Sequence, residues 1–121
     1  MQYLLLIYHH EAEWAKMTSA ELTPMYQEYG QLRQKLSENG KYLGGHQLKP
    51  TTMATTVRVR EGKRVVTDGP FAETKEQLGG YFLVEAQDLD EVIAIAAQIP
   101  TARNGAIEVR PVLVREQAKQ A

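Results

Sequence analysis

Two stretches of this chain, residues 3–8 and 81–86, are apolar at odd and even positions alike, while only two longer segments repeat apolar residues at helical spacing. A strand that is apolar on both sides reads as one buried on both sides. Two helices cover only one face of the sheet that holds such strands. The second face needs a cover of its own, and this limits the folds open to the chain.

The helices are well marked. Leu22, Met25, Tyr26, Tyr29, Leu32 and Leu36 recur at spacings of three, four or seven and make one apolar stripe. Thr18 and Glu21 match a capping box, whereas Pro24 suits a first turn capped by Thr23. The spacing therefore predicts a short leading turn and a main helix from about Pro24, stopped at Asn39-Gly40. A second helix opens on Asp88 and Glu91, carries Val92, Ile95, Ala96 and Ile99, and ends at Pro100.

The strands between them are weaker. Residues 41–48 read as a strand interrupted by Gly44-Gly45. Val57 and Val59 alternate with Arg58 and Arg60 over residues 55–60, and residues 64–67 return across a turn at Glu61-Gly62-Lys63. This hairpin is the most basic part of the chain, as suits an edge protected against further pairing. Residues 9–19 read as a polar stretch. Asp68-Gly69-Pro70 breaks the ladder, and Gly79-Gly80 leads into the strand at 81–86. In the last strand Ile107, Val109 and Pro111 alternate with Glu108 and Arg110.

The order β-α-β-(hairpin)-β-α-β predicts an α+β, ferredoxin-like split βαβ fold: an antiparallel sheet with an inserted β-hairpin. One domain spans residues 1–114, and residues 115–121 form a polar C-terminal tail. The uncovered apolar face predicts a homodimer, because a monomer rarely leaves such a patch in water.

Composition removes several function classes. A formal net charge of -1 argues against a nucleic acid or an anionic membrane as partner. With no cysteine, thiolate nucleophiles, zinc–thiolate sites and iron–sulfur clusters are excluded. The run at 3–8 is too short to span a membrane and has no basic residue before it, so the expected location is cytoplasmic. His9 and His10 are adjacent and would point to opposite faces of a strand, which is poor geometry for a shared metal, and no metal is expected. No GxGxxG, P-loop or GxSxG pattern is present, and no cofactor is expected.

Residues 68–76 read Asp-Gly-Pro-Phe-Ala-Glu-Thr-Lys-Glu and are followed by Gln77-Leu78-Gly79-Gly80-Tyr81. This segment resembles the signature of the DGPFAETKE (DGPF domain) proteins, a YCII-related group. The run at 3–8, Gly44-Gly45, Ile99-Pro100 and Val109-Arg110-Pro111 extend the resemblance over nearly the whole chain. It implies a dimeric α+β barrel and little about activity. Some YCII-related proteins are thought to use a His–Asp pair in a cleft. The first helix here has no histidine and the loop at 101–105 no aspartate, so that pair does not carry over.

Candidate site residues gather around that segment. Asp68 stands where a strand ends, and it reads either as a turn former or as a cleft carboxylate, the best candidate for a base or ligand anchor. Glu73, Lys75 and Glu76 read either as a solvated charge cluster or as a lid, with Lys75 holding an anionic substrate and residues 74–76 forming a helical turn. His46 follows a glycine pair that lets backbone approach a ligand, and Tyr81 carries a hydroxyl at the core margin. The expected function is small-molecule binding in a cleft near the DGPF loop, with catalysis left open. The alternative is a non-enzymatic regulatory module, linked by resemblance to transcription-initiation regulators and acting through protein contacts.

Overall fold

The computed structural model describes residues 1–115. Apart from Arg115, the polar tail at 115–121 lies outside the described residues. The elements are β1 (Gln2–His9), α1 (Glu11–Trp14), α2 (Ser19–Glu38), β2 (Tyr42–Gln47), β3 (Thr55–Arg60), β4 (Lys63–Asp68), β5 (Gln77–Glu85), α3 (Leu89–Ala97) and β6 (Ala106–Pro111), with single 3-10 turns at Thr51–Met53 and Pro100–Arg103.

β1 lies between β5 and β6 and pairs antiparallel with both. β2 joins the far side of β5, so the sheet order is β2-β5-β1-β6. Among the described residues β3 and β4 pair only with each other, as a separate ribbon. With the ribbon set aside, this is the ferredoxin-like split βαβ arrangement expected from the order of elements. No helix among the described residues is long and apolar enough to cross a membrane.

Strand alternation sorts the side chains. Tyr3, Leu5 and Ile7 of β1 and Phe82 and Val84 of β5 are buried on one face. There they meet Leu32 and Leu36 of α2 and Val92, Ile95 and Ile99 from α3 and its end. Phe82 is the aromatic centre, with Tyr29 and Tyr42 edge-on at 6.0 and 5.4 Å. Leu4, Leu6, Tyr81 and Leu83 point the other way and are only half-buried.

Four local expectations are corrected. α2 runs unbroken from Ser19 through Pro24, with no separate leading turn. The Thr18 amide donates to Glu21 Oε1 at 3.0 Å and the Glu21 amide to Thr18 Oγ1 at 3.3 Å, which completes the capping box. Pro24 then removes one bond, to the Ala20 carbonyl, at an exposed place where water can replace it. Residues 9–19, read as a polar stretch without an element of their own, contain the short helix α1. The ribbon turn is the two residues Glu61 and Gly62, at φ 51° and 74°, so Lys63 already pairs with Arg60. Two positive φ values in succession match the twist of the flanking strands. Residues 74–76 form no helical turn; the Gln77 side chain donates to the Thr74 carbonyl at 2.7 Å instead.

β5 also begins earlier than expected, at Gln77, and takes Gly79-Gly80 into the ladder. Ile7 pairs with Gly80 and Tyr8 with Leu78, so Gly79 is the extra residue of a bulge. Gly45 answers to packing. A Cβ there would sit 2.6 Å from the Tyr81 carbonyl oxygen and 2.9 Å from the Phe82 ring.

Two glycine-to-alanine changes are expected to act with opposite sign. Gly45→Ala forces backbone and a core ring apart and should destabilise by about 1–3 kcal/mol. At Gly30, inside α2, a new Cβ meets only the end of the Arg33 side chain, at 3.8 Å. Gly30→Ala should stabilise by roughly 0.5–1 kcal/mol through helix propensity. Urea midpoints that moved the same way in both variants would contradict this account.

Candidate functional site

A concavity of about 340 Å³ lies beside the first half of α2. Ile7, Phe82, Gly80 and Gly45 make its floor, Trp14 of α1 and Tyr26, Tyr29 and Arg33 of α2 its walls. His9, Gln47, Tyr42 and Thr101 close the ends. The site therefore draws on β1, β2, β5, both N-terminal helices and the 3-10 turn at Pro100–Arg103.

Each wall has a local cause. α1 is tied down by polar contacts. Its Glu11 carboxylate accepts from the Thr51 amide at 2.7 Å and the Thr51 hydroxyl at 2.6 Å, and the Glu11 amide donates to Gln77 Oε1 at 3.0 Å. This fixes Trp14, whose ring meets His9 edge-on at 5.0 Å and Tyr26 at 6.2 Å. The Tyr29 hydroxyl and Thr101 Oγ1 are 2.5 Å apart, and Gln47 Nε2 donates to the Tyr26 hydroxyl at 3.3 Å. Burial holds the Tyr29 phenol above its usual pKa of 10.0. It stays protonated at neutral pH.

His9 is the chemically flexible group. Gly79, lacking a side chain, leaves the space its imidazole fills; a Cβ at 79 would collide with the ring. Burial holds its pKa below the model-peptide value of 6.5, against the opposing pull of the Glu11 and Glu76 carboxylates. A neutral imidazole beside a cavity accepts hydrogen bonds and protons, which general-base chemistry needs. Among the described residues no group of three or more histidine or carboxylate side chains is placed to hold a metal ion.

The five residues expected from the sequence separate. His46 is among the residues bordering the cavity, but it stands directly across from Tyr81 in the ladder and its Nδ1 lies 2.9 Å from the Tyr81 hydroxyl, so its ring is on the far side of the sheet. Tyr81 itself belongs to the opposite sheet face, paired across from Leu6. Asp68 ends β4 opposite Thr55, is exposed, has no side-chain hydrogen bond among the described residues and borders neither this cavity nor the shallow groove between α3 and β6. Glu73 and Lys75 are exposed in the loop that follows. Glu76 lies 3.9 Å from His10 Nε2, and neither residue borders the cavity. Trp14, Arg33, Gln47 and Thr101 carried no signal beyond a lone tryptophan in a polar stretch and an arginine seven residues after Tyr26, on the same helix face.

Comparison with known proteins places the chain in a family. A YCII-related domain model matches residues 1–116. The chain belongs to the YCII-related family. An uncharacterized protein of Rhizobium meliloti (strain 1021) is 37% identical to it over 113 residues, covering 92% of this chain and 91% of that one.

The His9 shift has a signed consequence. Below pH 6.5 the unfolded chain protonates this histidine more readily than the folded one, so this group's contribution to stability is complete above 6.5 and falls as the pH drops. In an NMR titration the His9 ring should show a midpoint below 6.5, and His9→Asn should flatten the loss of stability on the acid side. A His9 midpoint at or above 6.5 would mean a solvated or ion-paired ring.

Proposed function

We propose that this chain binds a small organic molecule in the cavity between α2 and the sheet. The observation that carries this is a space of about 340 Å³ left unfilled beside a well-packed core. Protein interiors leave few gaps larger than a water molecule, and small-molecule sites run from about 300 Å³ upward. Its aromatic walls, with a few polar groups at fixed places and a histidine whose proton is readily exchanged, suit such a ligand. The complete nine-residue signature at 68–76 supports a finer place within the family, among the DGPF-type proteins, and the composition supports a cytoplasmic setting.

A second part of the proposal concerns assembly. Val57, Val59 and Val66 share one face of the β3–β4 ribbon and are each more than half exposed. Together with the half-buried Leu4, Leu6 and Leu83 of the uncovered sheet face, they support a two-fold homodimer built as an α+β barrel. The same exposed ribbon is what a regulatory role through protein contacts would use. Light scattering at tens of micromolar should give twice the mass of the chain, from an interface above about 1,200 Å² in total. A monomer would leave the ribbon to another protein.

A thermal-shift screen tests the cavity. A compound at about 100 times its Kd stabilises by about 2.7 kcal/mol, enough to raise the melting point by several degrees. Gln47→Trp puts an indole at the end of the cavity from an exposed strand position and should abolish the shift. Asp68→Asn should leave it intact. The reverse pattern would move the site to the end of the ribbon.

A further inference from the structure

The cavity has one permanent charge. Of the described side chains that border it, only Arg33 is charged at every pH of interest, and no aspartate or glutamate is among them. Arg33 has no carboxylate within ion-pair distance among the described residues, whereas Arg103 close by is held by Glu28 at 3.0 and 3.1 Å. A guanidinium left unpaired beside an aromatic cavity offers a planar fork of donors to a ligand.

The interior has the opposite character. Tyr29 and Thr101 satisfy each other, and Tyr26 takes a hydrogen from Gln47. What remains open to a ligand is largely ring surface from Trp14 and Tyr26, above the mostly buried Phe82. Trp14 and Tyr26 stand nearly perpendicular, at 73°, so a flat guest meets the face of one ring and the edge of the other. The size admits a body of one or two rings.

We infer that the ligand is a monocarboxylate with a flat apolar body, its ring held among Trp14, Tyr26 and Phe82 and its carboxylate on the Arg33 guanidinium. A single carboxylate is favoured over a phosphate because one permanent cation balances one charge, and among the described residues the cavity border supplies no second lysine or arginine for a dianion. This rests on the reading of the cavity as a ligand site and names the ligand's class.

Trp14 is the only tryptophan in the chain, so its fluorescence reports on this cavity alone. The probes are benzoate, the neutral isostere benzamide, phenyl phosphate and acetate, with affinities from calorimetry and location from Trp14 emission. Benzoate should perturb Trp14 saturably and bind roughly tenfold or more tightly than benzamide, as a charge-assisted contact implies. Acetate, lacking the ring, should be weaker still. Arg33→Gln should bring benzoate to the level of benzamide. Arg33→Lys, which keeps the charge without the fork, should fall between. Arg33 is exposed on a helix, and both replacements are good helix formers. Benzamide equal to benzoate in the unmodified protein, benzoate binding untouched by Arg33→Gln, or phenyl phosphate tighter than benzoate would each overturn the monocarboxylate assignment while leaving the cavity a binding site. No perturbation of Trp14 by any ring compound would overturn both.

Discussion

β1 is the element on which the rest depends. It pairs along both edges, with β5 and with β6, so its backbone donors and acceptors are used within the sheet. A doubly paired strand cannot slip by one residue without turning every side chain to the wrong face. Its odd positions, Tyr3, Leu5 and Ile7, hold the core, and its even positions, Leu4 and Leu6, form the uncovered face. Its last residue, His9, enters the cavity. Core, open face and site are thus three outputs of one register.

The cavity follows from how α2 is held. Its second half is fastened by Leu32 and Leu36 in the core. The first half continues the same apolar stripe beyond the point where the sheet meets it, and Tyr26 is left 43% exposed. Nothing apolar from α1 fills the gap, because α1 is anchored through Glu11 to Thr51 and Gln77 rather than through a buried face. Polar anchoring keeps Trp14 at the cavity wall without drawing it into the core.

Patterns of short range were legible in the sequence. A continuous apolar run located β1, helical spacing α2 and α3, and period-two alternation the ribbon, and their order pointed to the split βαβ fold. What failed was local competition. The capping box at Thr18 outweighed the preference of Pro24 for a first turn, and the bulge at Gly79 carried β5 back to Gln77. The site was harder to see. His9, Trp14, Arg33, Gln47 and Thr101 are brought together only by the crossing of five elements, and each alone looks like an ordinary surface or margin residue. His46 was singled out because a glycine pair precedes it; Gly79 was read as a strand boundary, although its missing side chain is what leaves room for the His9 ring.

The most recognisable stretch of the chain contributes its backbone here. The Gly69 amide donates to the Ala54 carbonyl at 2.7 Å, and the Thr56 hydroxyl to the Gly69 carbonyl at 2.8 Å, closing the base of the ribbon. The exposed residues from Pro70 to Lys75 then return the chain to Gln77, whose side chain both accepts from the Glu11 amide and donates to the Thr74 carbonyl. Two residues on comes the bulge that houses His9. A turn that set Gln77 one residue out of place would release α1 and misplace Gly79 together, and so disturb Trp14 and His9 at once. The segment at 68–76 can therefore matter to the cavity through where it delivers the start of β5, while the Asp68 and Glu73 carboxylates remain in solvent.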